Sequence, residues 1–293
     1  MGDIFLIILE QTLLHVPLLC GAYISLSLMK VPDLSIESAY VCGALLSAKV
    51  LPLVGALPGM MGLVIVLGAS LFGGALVGLT SSFITQFGRL PHLLSSIITF
   101  GIFYGIGQLI AGSYISLHTY PNLLEIDSIP HHPEIFMLAV ICTVLAIALS
   151  LLFRRQMGYA LAIYGNNPHF FAHYRISGPY IFISGIILAN ALAGLSGYLN
   201  AQSNGFADIS MGFGKLLLSI TALILGKSLL RNFKPPSLMI PLIGAAAYFC
   251  LQQVLIKSGF NLKYFSTLQA CVVLFILIML FRKQHKNIDH LGV

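Results

Sequence analysis

The sequence predicts an all-α protein, a polytopic transmembrane helical bundle of about nine spans, with the N-terminus outside and the C-terminus in the cytoplasm. Three observations predict it. First, 58% of the 293 residues are hydrophobic and only 8% charged, and mean hydropathy is +0.95. A soluble domain carries about 25% charged residues, so this composition cannot build a water-facing surface. Second, the apolar residues fall in runs close to the roughly 20 residues that a span needs, which leaves room for about eight to ten helices and short loops. Third, the fifteen Lys and Arg gather at the ends of those runs, the footprint of membrane orientation. That placement also argues against a nucleic-acid-binding face, despite the net charge of +6. Residues 1–293 read as a single transmembrane domain.

Taken in order, the apolar runs give spans at 4–29, 36–55, 60–83, 92–113, 134–153, 179–200, 213–231, 237–256 and 264–281. Pro32, Pro58, Pro91, Pro133, Pro179 and the Pro235-Pro236 pair stand near the predicted helix starts, where a missing N–H costs least. With Arg282, Lys283 and Lys286 inside, alternation puts Lys30, Arg89, Arg154, Arg155, Arg175, Lys227, Arg231 and Lys234 on the same side, and Lys49, Lys215, Lys257 and Lys263 opposite. Eleven against four follows the positive-inside rule, and an even number of spans would break the agreement. The first basic residue is Lys30, so the charged start of a cleavable signal is missing and residue 1 is expected to stay in the mature protein. Cys20, Cys42, Cys142, Cys250 and Cys271 lie in or beside apolar runs without a CxxC or a Cys/His cluster. They are expected as buried thiols, with neither disulfides nor a metal site.

The break after the first span, residues 30–38, carries Asp33, Ser35 and Glu37. Pro32 disfavours helix at Val31, and Asp33 or Ser35 can cap the next helix by accepting from its free N–H groups. That accounts for Asp33 completely, and a place on a solute path remains open beside it. Glu37 falls in the first turn of the second span, where a negative charge suits the helix dipole. An acid so close to hydrocarbon normally faces a wet cavity or a partner. The longest external loop, about 114–133, holds Glu125, Asp127, His131 and His132. It reads equally as a docking surface and as a solvated connector.

The longest cytoplasmic loop, 154–178, begins with a basic pair and has turn signals at Gly158 and at Gly165-Asn166-Asn167-Pro168. Asn167 as N-cap and Pro168 at the first helical position predict a short helix. In it Phe170, Phe171 and Tyr174 share a face at i, i+3 and i+4 spacing, beside Ala172. The resulting aromatic knob fits either the lipid headgroups or a groove on a partner protein.

Glycines recur in the spans, including a GxxxG at Gly101 and Gly105, and close helix packing explains nearly all of them. Gln108, Asn190, Asn200 and the Gln252-Gln253 pair are intramembrane polar groups. They line a path or bond across helices. The sequence has no HExxH, GxSxG or P-loop, and no pair of intramembrane acids at helical spacing, so an enzyme is disfavoured.

Three segments resemble the permease family of branched-chain amino acid and ribose type ABC importers. Residues 32–37, Pro-Asp-Leu-Ser-Ile-Glu, are similar to the stretch that opens the family's second helix, in the form found in a subgroup of amino acid, often tryptophan-like, permeases. Residues 158–167 with Ala172 and residues 175–177 resemble the family's cytoplasmic coupling loop. Here Leu161-Ala162 lacks the usual Arg, and Arg175 stands where a Gly is usual. Residues 191–199 and 205–214, ending at Gly226-Lys227, resemble the family's small-residue span, re-entrant external loop and following helix, with Lys227 in place of the usual acid.

The resemblance implies a permease subunit of an ATP-driven importer in the bacterial inner membrane, moving an amino acid or related small solute. It implies two cytoplasmic ATPase subunits, which use ATP and Mg, a second permease copy, and an external substrate-binding protein; this chain itself would bind no cofactor. Gly158, Gly165, Asn167, Phe170, Phe171, Ala172 and Tyr174 are the expected coupling residues. Asp33, Ser35, Glu37, Gln108, Asn190 and Asn200 are the candidates for the solute path. The rival is an ion-coupled secondary transporter, which needs a titratable site near the bilayer midplane. A structural subunit of a larger complex is a third reading.

Overall fold

A computed structural model describes residues 2–54, 59–120, 122, 124, 133–168, 170–173, 177–231, 238–259, 267, 270, 271, 274 and 278. Among them eight helical segments are long and apolar enough to cross a membrane: 4–28, 35–54, 60–88, 92–111, 133–154, 178–204, 209–229 and 239–257. They match the first eight predicted spans, so the all-α bundle is as expected. Of the predicted ninth span only five residues are described, all helical. Glu125, Asp127, His131, His132, Pro58, Pro235 and Pro236 lie outside the described residues.

The elements run in order as α1 (Gly2–Ala22), continued by a π-helical turn (Tyr23–Leu28), α2 (Ser35–Val54), α3 (Gly59–Gly88), α4 (His92–Ala111) and strand β1 (Tyr114–Ser116). After them come α5 (Pro133–Arg154), α6 (Gln156–Asn166), α7 (Phe170–His173), α8 (Gly178–Asn204), β2 (Phe206–Asp208), a 3-10 turn (Ile209–Gly212), α9 (Lys215–Leu229) and α10 (Met239–Lys257). β1 and β2 pair antiparallel, Ile115 opposite Ala207. The prolines act as the sequence suggests. Pro91 precedes α4, Pro133 opens α5, and Pro179 sits in the first turn of α8 behind Ser177, whose Oγ accepts from the Tyr180 N–H at 3.4 Å.

Pro17 is the exception, standing inside α1. It has no N–H to offer the carbonyl of Leu13, four residues back. The Cys142 thiol of α5 donates to that carbonyl at 3.2 Å instead, so an interior proline also fixes a neighbouring helix. Cys20 and Cys142 are buried as expected. Cys250 and Cys271 are exposed on the isolated chain, Cys250 beside the exposed Leu251 and Val254 of α10.

At the centre, α8 packs against α1, α2 and α3, and the approach is backbone to backbone. A Cβ at Gly43 would collide with the backbone of Gly194, and one at Gly194 with Ser70 and Gly74. Only glycine lets three helices meet this closely. By contrast a Cβ at Gly101 or Gly105 would meet nothing within 4 Å. Among the described residues the α4 GxxxG therefore packs against no other helix, and it lies on an outward face with exposed Ile98, Ile102 and Leu109.

Candidate functional site

Three chain breaks meet part-way along α8. Asn190 stands twelve residues beyond the first residue of this 27-residue helix, about 18 Å along its axis at the helical rise. There α1 has ended, α2 begins, and α9 begins nearby. Lys30 closes the π turn in the left-handed conformation, φ 56°, with Val31 N–H bonded to Ser25 O at 2.8 Å.

Asp33 is fully buried. Its Oδ1 accepts from the Ser35 N–H at 2.9 Å and from the Ser35 hydroxyl, the capping role expected at the start of α2. Its Oδ2 accepts from Asn190 Nδ2 at 2.8 Å, and Asn190 Oδ1 lies 3.2 Å from Ser35 Oγ. His92, the first residue of α4, brings Nε2 to 3.4 Å from Asp33 Oδ1, an electrostatic contact longer than a good hydrogen bond. His92 Nδ1 is 2.9 Å from Thr85 Oγ1 of α3. One carboxylate thus ties the starts of α2 and α4 to the middle of α8, and through His92 to the last turn of α3. A buried carboxylate is tolerable only with such partners.

Glu37, one turn further along α2, reaches a different helix. Its Oε1 accepts from the Leu216 N–H at 3.1 Å, so it caps the N-terminus of α9 from outside, where free N–H groups and the helix dipole favour an anion. Lys215, the first residue of α9, places Nζ 3.0 Å from His15 Nε2 and 4.8 Å from the centre of the Tyr40 ring. His15 Nδ1 is 2.9 Å from the Gln11 carbonyl, an acceptor only, so Nδ1 carries the proton and Nε2 accepts from the ammonium. The sequence reading places Lys215 on the outer side, at the start of the seventh span; in the structure it is the first residue of α9 and reaches His15 inside the bundle. The segment 205–214 dips into the bundle before α9 starts, with Gly212 against the Glu37 carbonyl, and this takes Lys215 inward.

The predicted path residues do not form one group. Asp33, Ser35 and Asn190 come together, with Glu37 one turn away. Asn200 is buried nearer the end of α8, its Nδ2 without a hydrogen-bond partner. Gln108 is exposed on α4, away from the cluster.

The 154–178 loop differs from its reading in three ways. Gly158 and Gly165 are not turns but lie within α6. A Cβ at Gly158 would strike the backbone of Phe153, and one at Gly165 would strike Leu28 and Met29; they are glycine for closeness, not for bending. Asn167 ends α6 as well as leading into α7: its N–H bonds to Ile163 O at 2.8 Å, and its carbonyl accepts from the Phe170 N–H at 3.1 Å. The aromatic knob is reduced, because Phe171 is 3% exposed within the core while Phe170 is 37% exposed. Two adjacent side chains of a short helix against the bundle cannot both face out. Ala172 lies in the α7 backbone, and Tyr174 is outside the described residues.

Lys30 Nζ donates to Asn166 Oδ1 at 2.6 Å, joining α6 to the end of α1. Sequence reasoning missed His92, Lys215 and His15 as partners, and it missed Tyr159 and Ile163, which are exposed on one face of α6 at i, i+4 spacing. That spacing was legible; the polar partners come from separate helices and carry no local pattern.

Helices broken inside a bundle, with capped N-termini and polar side chains meeting where they break, define a multi-pass membrane protein of the transporter kind. The chain belongs to the family described as branched-chain amino acid transport system permease component, whose model matches residues 8–278. It is 30% identical over 227 residues to a tyrosine transport system permease protein of Clostridioides difficile, covering 77% of this chain and 74% of that protein. It is also 29% identical over 265 residues to an uncharacterized protein of Rickettsia prowazekii, covering 88% and 91%. No solved structure matches.

Proposed function

We propose that the chain is the channel-forming subunit of an ATP-driven importer of an amino acid in the bacterial inner membrane, with its N-terminus outside. The family and the tyrosine permease relative support the solute class. The observation that carries the coupling is the join between α6 and α1: Gly165 lies on Leu28 and Met29, and Asn166 bonds Lys30. A push on α6 is delivered to the π turn, and from there to the Asp33 cluster three residues on.

Two cytoplasmic ATPase subunits, using ATP and Mg, act on α6 and α7 through Tyr159, Ile163 and Phe170, with Gly158, Gly165 and Asn167 setting the shape and Phe171 anchoring α7. Ala172 and Tyr174 complete the coupling segment. An external binding protein delivers the solute, and a second permease copy completes the channel. Asp33, Ser35, Glu37 and Asn190 lie where the path narrows, and Asn200 lies on its external side; Gln108, on the outward face of α4, faces the second copy. Nucleotide on one side and loaded binding protein on the other bias inward-open and outward-open populations.

Replacing the half-exposed Phe170 with Asp tests this. The variant inserts and folds, and a tagged ATPase subunit that co-purifies with the unaltered chain is lost. Unchanged capture contradicts the coupling role.

A second reading is an ion-coupled carrier. Its support is the Asp33–His92 and Glu37–Lys215–His15 sets, titratable groups brought together where helices begin inside the bundle. Uptake without ATP, driven by an ion gradient, would favour it.

A further inference from the structure

The inward face of α4 differs from that of the other central helices. Its fully buried residues are Ser95, Ser96, Thr99 and Gly107, and none of its leucines, isoleucines or aromatic residues is among them. By contrast α2 buries Ile36, Val41 and Leu45, and α8 buries Ile181, Leu192 and Leu195. Counted from His92, the three hydroxyl residues of α4 fall at i+3, i+4 and i+7. They form one stripe, about 10 Å of helix at the helical rise, which starts in the Asp33 cluster. Among the described residues α4 packs on α2, α3 and the 3-10 turn; there α2 adds the buried Ser38, and α3 the buried Ser81 and Ser82.

These hydroxyls are bonded along their own helices. Thr99 Oγ1 donates to Ser95 O at 2.8 Å, Ser96 Oγ to Leu93 O at 2.8 Å and Ser95 Oγ to Pro91 O at 3.4 Å. Ser38 and Ser82 donate in the same way within α2 and α3. Among the described residues none of the three α4 hydroxyls donates across to α2 or α3, so α4 can part from them without breaking such a bond. The hydroxyl lone pairs then accept from water, whereas wetting an apolar seam is opposed by the hydrophobic effect.

Three further features fit a helix that moves. Arg89, just before α4, and Gly112, just after it, have φ of 52° and 65°, so each end is bounded by a sharp change of backbone direction. A Cβ at Gly101, Gly105 or Gly112 would meet nothing within 4 Å, so no described neighbour holds the outward face. Beyond Thr99 a gap of about 240 Å³ already parts α4 from α2, with Ser38 and Val41 on one side and Phe100 and Phe103 on the other.

We propose that α4 is a gate helix. It swings off α2 and α3 about the 88–91 turn, and the opened seam, walled by His92, Ser95, Ser96 and Thr99, carries a small polar solute between the gap and the Asp33 cluster. The seam is shut in this conformation, and its hydroxyls are reached only when α4 moves. The proposal rests on the importer reading for what drives the motion; the seam itself stands on the residues of α4.

The test is water access during transport. The chain, with its ATPase subunits and binding protein in proteoliposomes, carries Ser96→Cys or Thr99→Cys and is treated with sulfonatoethyl methanethiosulfonate, a charged thiol reagent, with and without ATP. Intact mass should show one label more than the unaltered chain, gained faster with ATP. Ile102→Cys on the outward face and Ala193→Cys, fully buried among apolar side chains, should gain none. Thr99→Val keeps the shape and removes the hydroxyl. Its melting temperature should not fall, while uptake should drop about tenfold, the scale of one lost hydrogen bond, and Thr99→Ser should keep uptake. A label at neither Ser96→Cys nor Thr99→Cys while uptake proceeds, equal labelling at Ala193→Cys, or full uptake in Thr99→Val would each overturn the gate and leave the importer reading standing. Labelling at both positions that is indifferent to ATP, with uptake driven by an ion gradient, would support the gate and remove the importer reading.

Discussion

Lys30 Nζ donates a hydrogen bond to Asn166 Oδ1 at 2.6 Å, across 136 positions of sequence. Lys30 is held in a left-handed conformation, φ 56°, which is uncommon for a residue with a side chain. The bond joins the last residue of α6 to the turn that leads into the Asp33 cluster. A short physical route therefore joins α6 to the buried Asp33 cluster.

Lys30→Met removes the bond and keeps the stem. An exposed hydrogen bond contributes about 1 kcal/mol, so the melting temperature in detergent should fall slightly. ATPase capture should be unchanged, while solute uptake drops several-fold. Asn166→Leu should give the same pair of results, and the double variant no more than either alone.

Glycine substitutions should divide sharply by position. Gly165→Ala and Gly194→Ala force a methyl group into backbone and should destabilise by about 1–3 kcal/mol or more. Gly101→Ala and Gly105→Ala meet open space and should melt as the unaltered chain does. Thermal melting of the four variants in one detergent checks this, and a loss at Gly101 comparable to that at Gly194 would contradict the packing described.

The Asp33 cluster should be intolerant of a missing partner. Asn190→Leu leaves Asp33 buried with one donor fewer, a loss of about 3 kcal/mol on the scale of breaking a buried charged network. Asp33→Asn in the Asn190→Leu background should recover part of that loss, because the uncompensated charge is gone. The comparison is made by melting temperature and expression in membranes.

Glu37 and Lys215 should be coupled. Glu37→Gln keeps an oxygen for the Leu216 N–H but removes the counter-charge of Lys215, and Lys215→Met should offset part of the cost. A double-mutant cycle should give a coupling of about 0.5–3 kcal/mol; additive losses would mean that the two side chains act independently.

The bundle was legible because hydrocarbon imposes one rule on every span, and runs near 20 apolar residues declare it. The cap at Asp33 was legible as well, since Pro32, Asp33 and Ser35 are neighbours in sequence. What sets Asp33 apart is Asn190 and His92, more than fifty residues away on other helices, and no local pattern reports them. α6 was hidden for a different reason. Its two glycines read as turns, whereas they are helical positions pressed against Leu28, Met29 and Phe153, and a sequence does not distinguish a glycine that bends from one that is crowded. Phe171 likewise looked like a partner of Phe170 on one surface, and only the packing of α7 on the bundle turns it inward.

The most direct measurement is solute uptake into proteoliposomes that hold the chain with its ATPase subunits and binding protein, with and without enclosed ATP, using tyrosine as the first solute. The account predicts uptake only with ATP and binding protein together, lost in Phe170→Asp and reduced in Lys30→Met. Uptake that proceeds without ATP and follows an imposed proton or sodium gradient would contradict it.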